Sequence, residues 1–177
     1  MLDIMSGDKC AVCIKILDID ESPKDIIMVR TFMRDSSSYR ERKSSDKSIY
    51  QYPYYENTAF KTILSRSPDS YYASDSLCTE TTYVNANNKW QKFYNSTLVC
   101  PIRMELVDEM ETQDTDYSIL GFICVDNLKG GLNNRACIQL LASVSDSLYN
   151  HFLMFNTVRG AIFDAPADQL EKEAKKT

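Results

Sequence analysis

No apolar run in this 177-residue chain approaches the ~20 residues needed to cross a bilayer, and its start, MLDIMSGDKC, lacks the basic region and apolar core of a signal peptide. The expectation is a soluble, cytoplasmic protein. Positive charge is also in deficit: 20 Lys and Arg against 25 Asp and Glu leave a formal charge of -5 and a pI near 4.9. A general nucleic-acid or anionic-membrane surface needs clustered cations, so that balance argues against both. Histidine occurs once, as His151 between Asn150 and Phe152. A general base needs a nucleophile or carboxylate within hydrogen-bond reach, and neither neighbour supplies one, so His151 reads as a solvated helix-face residue. Internal repeats are lacking as well.

What is present is ordinary for a globular domain: 44% hydrophobic and 25% charged residues, enough chain for one α+β domain with its own core. Cys10, Cys13, Cys78, Cys100, Cys124 and Cys137 are scattered, mostly within apolar runs, and read as reduced core residues. Cys10-Ala-Val-Cys13 has the spacing of a zinc or redox half-site, yet residues three apart on a strand face opposite ways. With no second pair and no neighbouring histidine, no metal site is expected.

Along the chain, Lys9–Leu17 is a strand with Cys10, Val12, Ile14 and Ile16 on one face and Ala11, Cys13 and Leu17 on the other, the pattern of a central strand. It should pair with Ile26–Met33 as a hairpin. Asp35–Asn57 is polar and tyrosine-rich and reads as a long surface loop, in which Arg40, Arg42, Lys43 and Lys47 are solvated rather than reaching for a phosphate. Asn57 is placed to cap a short helix through Ser65, with Phe60, Ile63 and Leu64 on one face. Ser67–Asn95 has no clean period and reads as a short strand, one helical turn and pocket wall. Thr97–Met104 and Ser118–Val125, joined by an acidic loop, form a second hairpin; Pro101 belongs at an edge or bulge, and Gly121 allows another element to approach closely. Asn133 or Asn134 then caps a helix striped with Cys137, Leu141, Val144, Leu148, Phe152 and Phe155. Thr157–Asp164 adds a short strand or extension, and a charged tail follows.

The runs Ser96-Thr97-Leu98-Val99-Cys100-Pro101-Ile102 and Ile119-Leu120-Gly121-Phe122-Ile123-Cys124-Val125-Asp126-Asn127, with the helix segment Ile138-Gln139-Leu140-Leu141-Ala142, resemble the strands and closing helix of a GAF domain, with PAS domains the close structural competitor. The likeness covers roughly residues 9–155. It implies an α+β fold with a central antiparallel sheet of five to six strands, a long C-terminal helix on one face and a loop-roofed pocket on the other. The implied organisation is an N-terminal extension over 1–8, a GAF-like domain over 9–156 and an extension or tail over 157–177. GAF domains usually open with a helix beside the closing one, whereas eight residues precede the first strand here.

The candidate ligand site is the aromatic and polar cluster Tyr71, Tyr72, Asp75, Trp90, Phe93, Tyr94 and Asn95, with Arg30 and Phe32 on the facing strand. Aromatic faces stack a planar molecule, while Asp, Asn and Arg hold its edges or a phosphate. The plainer alternative is that these rings fill space beneath a long loop. Asn88, Lys89 and Phe93 are similar to part of the dispersed Asn-Lys-Phe-Asp-Glu motif of cyclic-nucleotide-binding GAF domains, but no downstream Asp and Glu follow at suitable spacing. One GAF family reduces free methionine sulfoxide with pocket cysteines; Cys78 is present here, but the further cysteine just before the Ser96 strand is missing. Bilin attachment at Cys78 lacks its usual following histidine. The reading is a sensory or regulatory domain that binds a small, partly planar or nucleotide-like ligand, signals through its terminal helix and pairs there as a homodimer. The alternatives are a ligand-free interaction module and a cysteine-dependent reductase.

Overall fold

Two apolar faces on one strand require packing on both sides, and that is how the chain is built. The computed structural model describes residues 1–18, 26–42, 51–65, 71–106 and 116–163. Its strands are β1 (Ala11–Asp18), β2 (Met28–Arg34), β3 (Tyr52–Pro53), β4 (Tyr72–Ser74), β5 (Ser96–Leu106) and β6 (Asp116–Asn127). They form one antiparallel sheet in the order β3-β2-β1-β6-β5-β4, with β1 central as its sequence requires. Both expected hairpins form, β1 with β2 and β5 with β6.

The alternation along β1, β5 and β6 divides the core. Leu98, Cys100, Ile123 and Val125 face α4 (Arg135–Phe163) and meet Cys137 and Leu141 there, with Cys10 and Val12 packed alongside. On the other face Cys13, Val99, Phe122 and Cys124 meet Ala59, Phe60 and Ile63 of α3 (Thr58–Ser65). Phe60 stacks on Phe122 with ring centroids 4.5 Å apart. Asn57 starts α3 as expected: its Oδ1 accepts the amide of Ala59 at 2.9 Å. Asn134 does the same for α4, accepting the amide of Cys137 at 2.9 Å.

The stripe of α4 departs from its expected membership. Val144 is 40% exposed, whereas Ser145 and Tyr149 are buried with Cys137 and Leu141. A serine is tolerated there because its hydroxyl donates to the Pro101 carbonyl at 2.5 Å, satisfying both groups in the core. Helix, not strand, continues through Thr157–Phe163. The Phe155 side chain and the charged tail from 164 lie outside the described residues, as do the acidic loop over 107–115 and Lys43 and Lys47. Within residues 1–8, expected to be an extension, α1 (Leu2–Ser6) lays Leu2 and Met5 on the helix-side core and ends at Gly7, φ 72°.

The surface loop expected over Asp35–Asn57 is partly structured. α2 (Ser36–Arg42) begins at Asp35, whose carboxylate accepts the amides of Ser37 (3.1 Å) and Ser38 (2.9 Å) and that of Val12 on the neighbouring strand β1 (2.9 Å). The polar run Asp-Ser-Ser-Ser is therefore a helix start. Gly121 does permit a close approach, but by the neighbouring strand: a Cβ there would stand 2.0 Å from the Lys15 carbonyl oxygen. Pro101 sits beyond the three β5 residues that β4 pairs, Thr97 to Val99, and stands opposite Phe122 of β6, just before a register shift between Ile102 and Arg103.

Candidate functional site

The α3 side of the sheet is not fully closed. Between β1, β5, β6, α3 and the segment 83–97 lies a cavity of about 70 Å³. Its floor is Cys13 and Lys15 of β1, Thr97 and Val99 of β5, and Cys124 and Asp126 of β6. Arg34, Arg42 and Tyr52 wall one side, and Asn57 and Phe60 another. Tyr83, Asn85 and Tyr94 form the roof. A space of that size holds water or a molecule of a few heavy atoms.

Charge converges on this cavity from residues that the chain otherwise buries. Lys15, Arg42 and Asp126 are 7%, 6% and 7% exposed. Arg42 Nη1 donates to Asp126 Oδ2 at 3.1 Å, and its guanidinium lies over the rings of Phe93 (5.3 Å) and Tyr94 (5.5 Å). Thr97 Oγ1 donates to the other Asp126 oxygen at 2.7 Å. Lys15 Nζ donates to Thr31 Oγ1 at 2.5 Å and lies 5.5 Å from the centre of the Tyr52 ring. Burial by itself pulls an ammonium down, but the Tyr52 hydroxyl and the Cys13 and Cys124 sulfurs outweigh it and hold Lys15 above its ordinary value. With Arg34 also in the lining, the cavity carries more positive than negative side chains among the described residues.

The roof is held by aromatic packing. Trp90 is buried with Leu77 and Tyr94, its ring edge-on to Tyr83 at 4.9 Å and tilted against Tyr94 at 5.4 Å. Asn85 Nδ2 donates to the Tyr94 hydroxyl at 2.7 Å and the Tyr83 hydroxyl at 3.4 Å. Burial pushes both phenols above their usual value. The rings pack as a small core of their own, as the plainer alternative holds, yet a polar cavity remains beneath them.

The structure spreads the expected ligand-binding residues over several places. Tyr94 lines the cavity; Trp90 and Phe93 lie directly behind it, against Tyr94 and Arg42. Tyr72 is on β4, where its hydroxyl donates to Glu80 Oε2 at 2.8 Å, and Tyr71 beside it is exposed. Asp75 accepts from Ser96 Oγ (2.9 Å) and the amides of Leu132 (2.8 Å) and Asn133 (3.1 Å), joining β4 to the turn before α4. Asn95 Oδ1 accepts the amide of Cys78 at 2.9 Å. Arg30 pairs with Asp18 at 3.7 Å, and Phe32 packs edge-on against Phe152 of α4 at 5.5 Å, on the helix side of the sheet.

Arg42 differs from the expectation of a solvated loop residue: it is buried in an ion pair, because α2 carries it over the sheet to Asp126. Lys15, Arg34, Cys124 and Asp126 line the cavity as well, although the sequence pattern marks Cys124 only as core and Cys124 and Asp126 only as part of a strand. An unpaired signal did exist in Lys15, a charge alternating with Cys13 on one face of a central strand. Among the other candidates, His151 is exposed and its Nδ1 lies 2.8 Å from the Ser147 carbonyl oxygen. Cys100 is buried under α4 with its thiol pushed up to about 12 by burial and by Asp146, while Cys78 is exposed in the short turn Leu77–Thr79. No group of metal-binding side chains occurs among the described residues.

No protein-family model matches this chain, and no curated protein matches it. Solved structures do. The chain is 12% identical to a type II free methionine-R-sulfoxide reductase from Thermoplasma acidophilum, with a TM-score of 0.54 over 84% of this chain and 82% of that one. It is also 12% identical to a far-red cyanobacteriochrome photoreceptor, with a TM-score of 0.56 over 81% of this chain and 76% of that one. At such identity the likeness is one of fold: the chain has a GAF-like α+β fold.

Proposed function

We propose that this GAF-like domain is a regulatory module that takes a small, partly planar ligand bearing negative charge into the cavity beneath Tyr94 and signals its occupancy through α4. The carrying observation is the cavity's lining, in which Lys15, Arg34 and Arg42 meet Asp126 beneath aromatic rings. Buried charge is costly in a domain that only packs or docks, and convergent polar groups in an otherwise apolar interior are what a small-ligand site needs. Its volume of about 70 Å³ limits the ligand to a few heavy atoms unless the 83–97 roof opens. Tyr94 touches the ligand, and Trp90, Phe93 and Tyr72 set the position of the roof. Neighbours of this fold include a photoreceptor, which supports a sensory use of the scaffold. No helix among the described residues is long and apolar enough to cross a membrane.

A route to α4 is built in. Asp126 faces the cavity, and the next residue, Asn127, exchanges hydrogen bonds with Gly130 in the turn that leads into the helix. Ligand contact with the Arg42–Asp126 pair shifts the end of β6 and with it the helix start. Pairing of two chains through α4 is part of the proposal, supported by the exposed Val144 and Met154 on that helix.

The test is calorimetry and thermal shift with a panel of small carboxylates, phosphates and nucleotides on the native chain and on Lys15→Met. Saturable binding that weakens at least tenfold in the variant supports the reading. No binding by any member of the panel, with the cavity intact, returns the domain to a ligand-free interaction module.

A further inference from the structure

Cys13 and Cys124 are direct cross-strand partners on β1 and β6, both in the cavity floor and both free. Directly opposed residues of an antiparallel pair have Cα atoms about 4.5–5.5 Å apart with side chains on one face. That span falls within the roughly 4.4–6.8 Å that a disulfide bridges. We infer that Cys13 and Cys124 form a reversible cross-strand disulfide when hydrogen peroxide or another small hydroperoxide enters the cavity.

The surroundings suit a thiolate rather than an inert core thiol. Hydrogen bonding from the Cys124 thiol holds Cys13 below its ordinary value despite burial, aided by the charges of Lys15 and Arg34. The same contact and burial hold Cys124 well above its own. One proton shared between two sulfurs gives a nucleophile and a resolving thiol side by side. The cavity, though small, accommodates a molecule of peroxide size, which a dry apolar core does not.

The chemistry balances. The Cys13 thiolate attacks one peroxide oxygen; an S–O bond forms, the O–O bond breaks, and the departing hydroxide takes a proton from solvent to become water. Cys13 is then a sulfenic acid. The Cys124 sulfur attacks the Cys13 sulfur, forming the S–S bond and breaking the S–O bond, and its proton leaves with the hydroxyl as a second water. Two thiols are oxidised by two electrons and one peroxide is reduced to two waters; a dithiol reductant reverses the change by exchange. This inference is independent of whether the cavity also binds a ligand.

The experiment treats the full chain carrying Cys78→Ser, which removes the exposed thiol, with hydrogen peroxide near neutral pH. Remaining thiols are alkylated in denaturant and peptides are mapped without reduction. The expected result is a peptide linking Cys13 to Cys124, the loss of two alkylatable thiols per chain, and their full recovery with dithiothreitol. In Cys124→Ser, which removes the resolving sulfur but keeps a hydroxyl donor beside Cys13, dimedone is expected to label Cys13 as the sulfenic acid. Complete alkylation of both residues after a peroxide dose that oxidises Cys78 in the native chain overturns the inference, as does a map in which other cysteines link instead. If the variants do not fold, the map of the native chain decides alone.

Discussion

Arg42 and Asp126, 84 positions apart, are joined by a 3.1 Å charged hydrogen bond that ties α2 to the end of β6 beside the cavity. Both side chains are buried, so leaving either alone strands a charge away from water. Arg42→Met is expected to cost about 3 kcal/mol in urea denaturation, and Asp126→Asn a comparable amount. The double variant should be less destabilised than the sum of the two by at least about 1 kcal/mol. Strict additivity would mean that the pair carries no coupling.

Acid should loosen α2 before the rest of the domain. Burial alone raises the Asp35 carboxyl, but hydrogen bonds from Ser38, Val12 and Ser37 outweigh it and hold the group well below the ordinary carboxylate range. A carboxyl depressed on folding stabilises fully above its unfolded value of about 3.9 and loses that contribution as pH falls through the folded value. The stability difference between the native chain and Asp35→Asn is thus expected to be constant from pH 7 to about 5 and to shrink below about 4. A difference that grows in acid would refute the sign.

Gly121→Ala places a methyl group 2.0 Å from the Lys15 carbonyl oxygen, on backbone that cannot swing aside as a side chain does. The expected cost is about 3 kcal/mol, read as a fall in the denaturation midpoint with little change in its slope. A neutral outcome would show that β1 and β6 can separate locally.

Asp75→Ala should detach the turn before α4 from β4, because one carboxylate oxygen accepts from Ser96 and from the Leu132 and Asn133 amides. A loss of about 2 kcal/mol is expected, with faster amide hydrogen exchange at Leu132 and Asn133. Unchanged exchange at those two positions would contradict the role.

Where periodicity was strong, the chain could be read directly: the two faces of β1, the paired β5 and β6, and the Asn57 and Asn134 caps each rest on local patterns of residues. The site was harder to read, because what makes it is long-range. Arg42 looks solvated among its charged neighbours, and only the partnership of Asp126 in the folded sheet turns it inward. Ser145 replaces Val144 in the core of α4 for a similar reason, since a hydroxyl becomes an interior group only when a carbonyl such as that of Pro101 is there to receive it. Aromatic content alone does not say which rings meet: Tyr83, Trp90 and Tyr94 pack together over the cavity, whereas Phe32 packs against Phe152 of α4.

Pro101 has a further consequence. Past Val99, the outer edge of β5 has no strand alongside it among the described residues, yet Cys100, Pro101 and Ile102 are buried there, with Cys100 packed against Cys137 and Leu141 of α4. A proline ring in place of an N–H, and a register shift just beyond it between Ile102 and Arg103, make this the irregular part of β5. The same residue lends its carbonyl to the Ser145 hydroxyl, so the stretch of β5 that no strand covers is fastened to α4 instead.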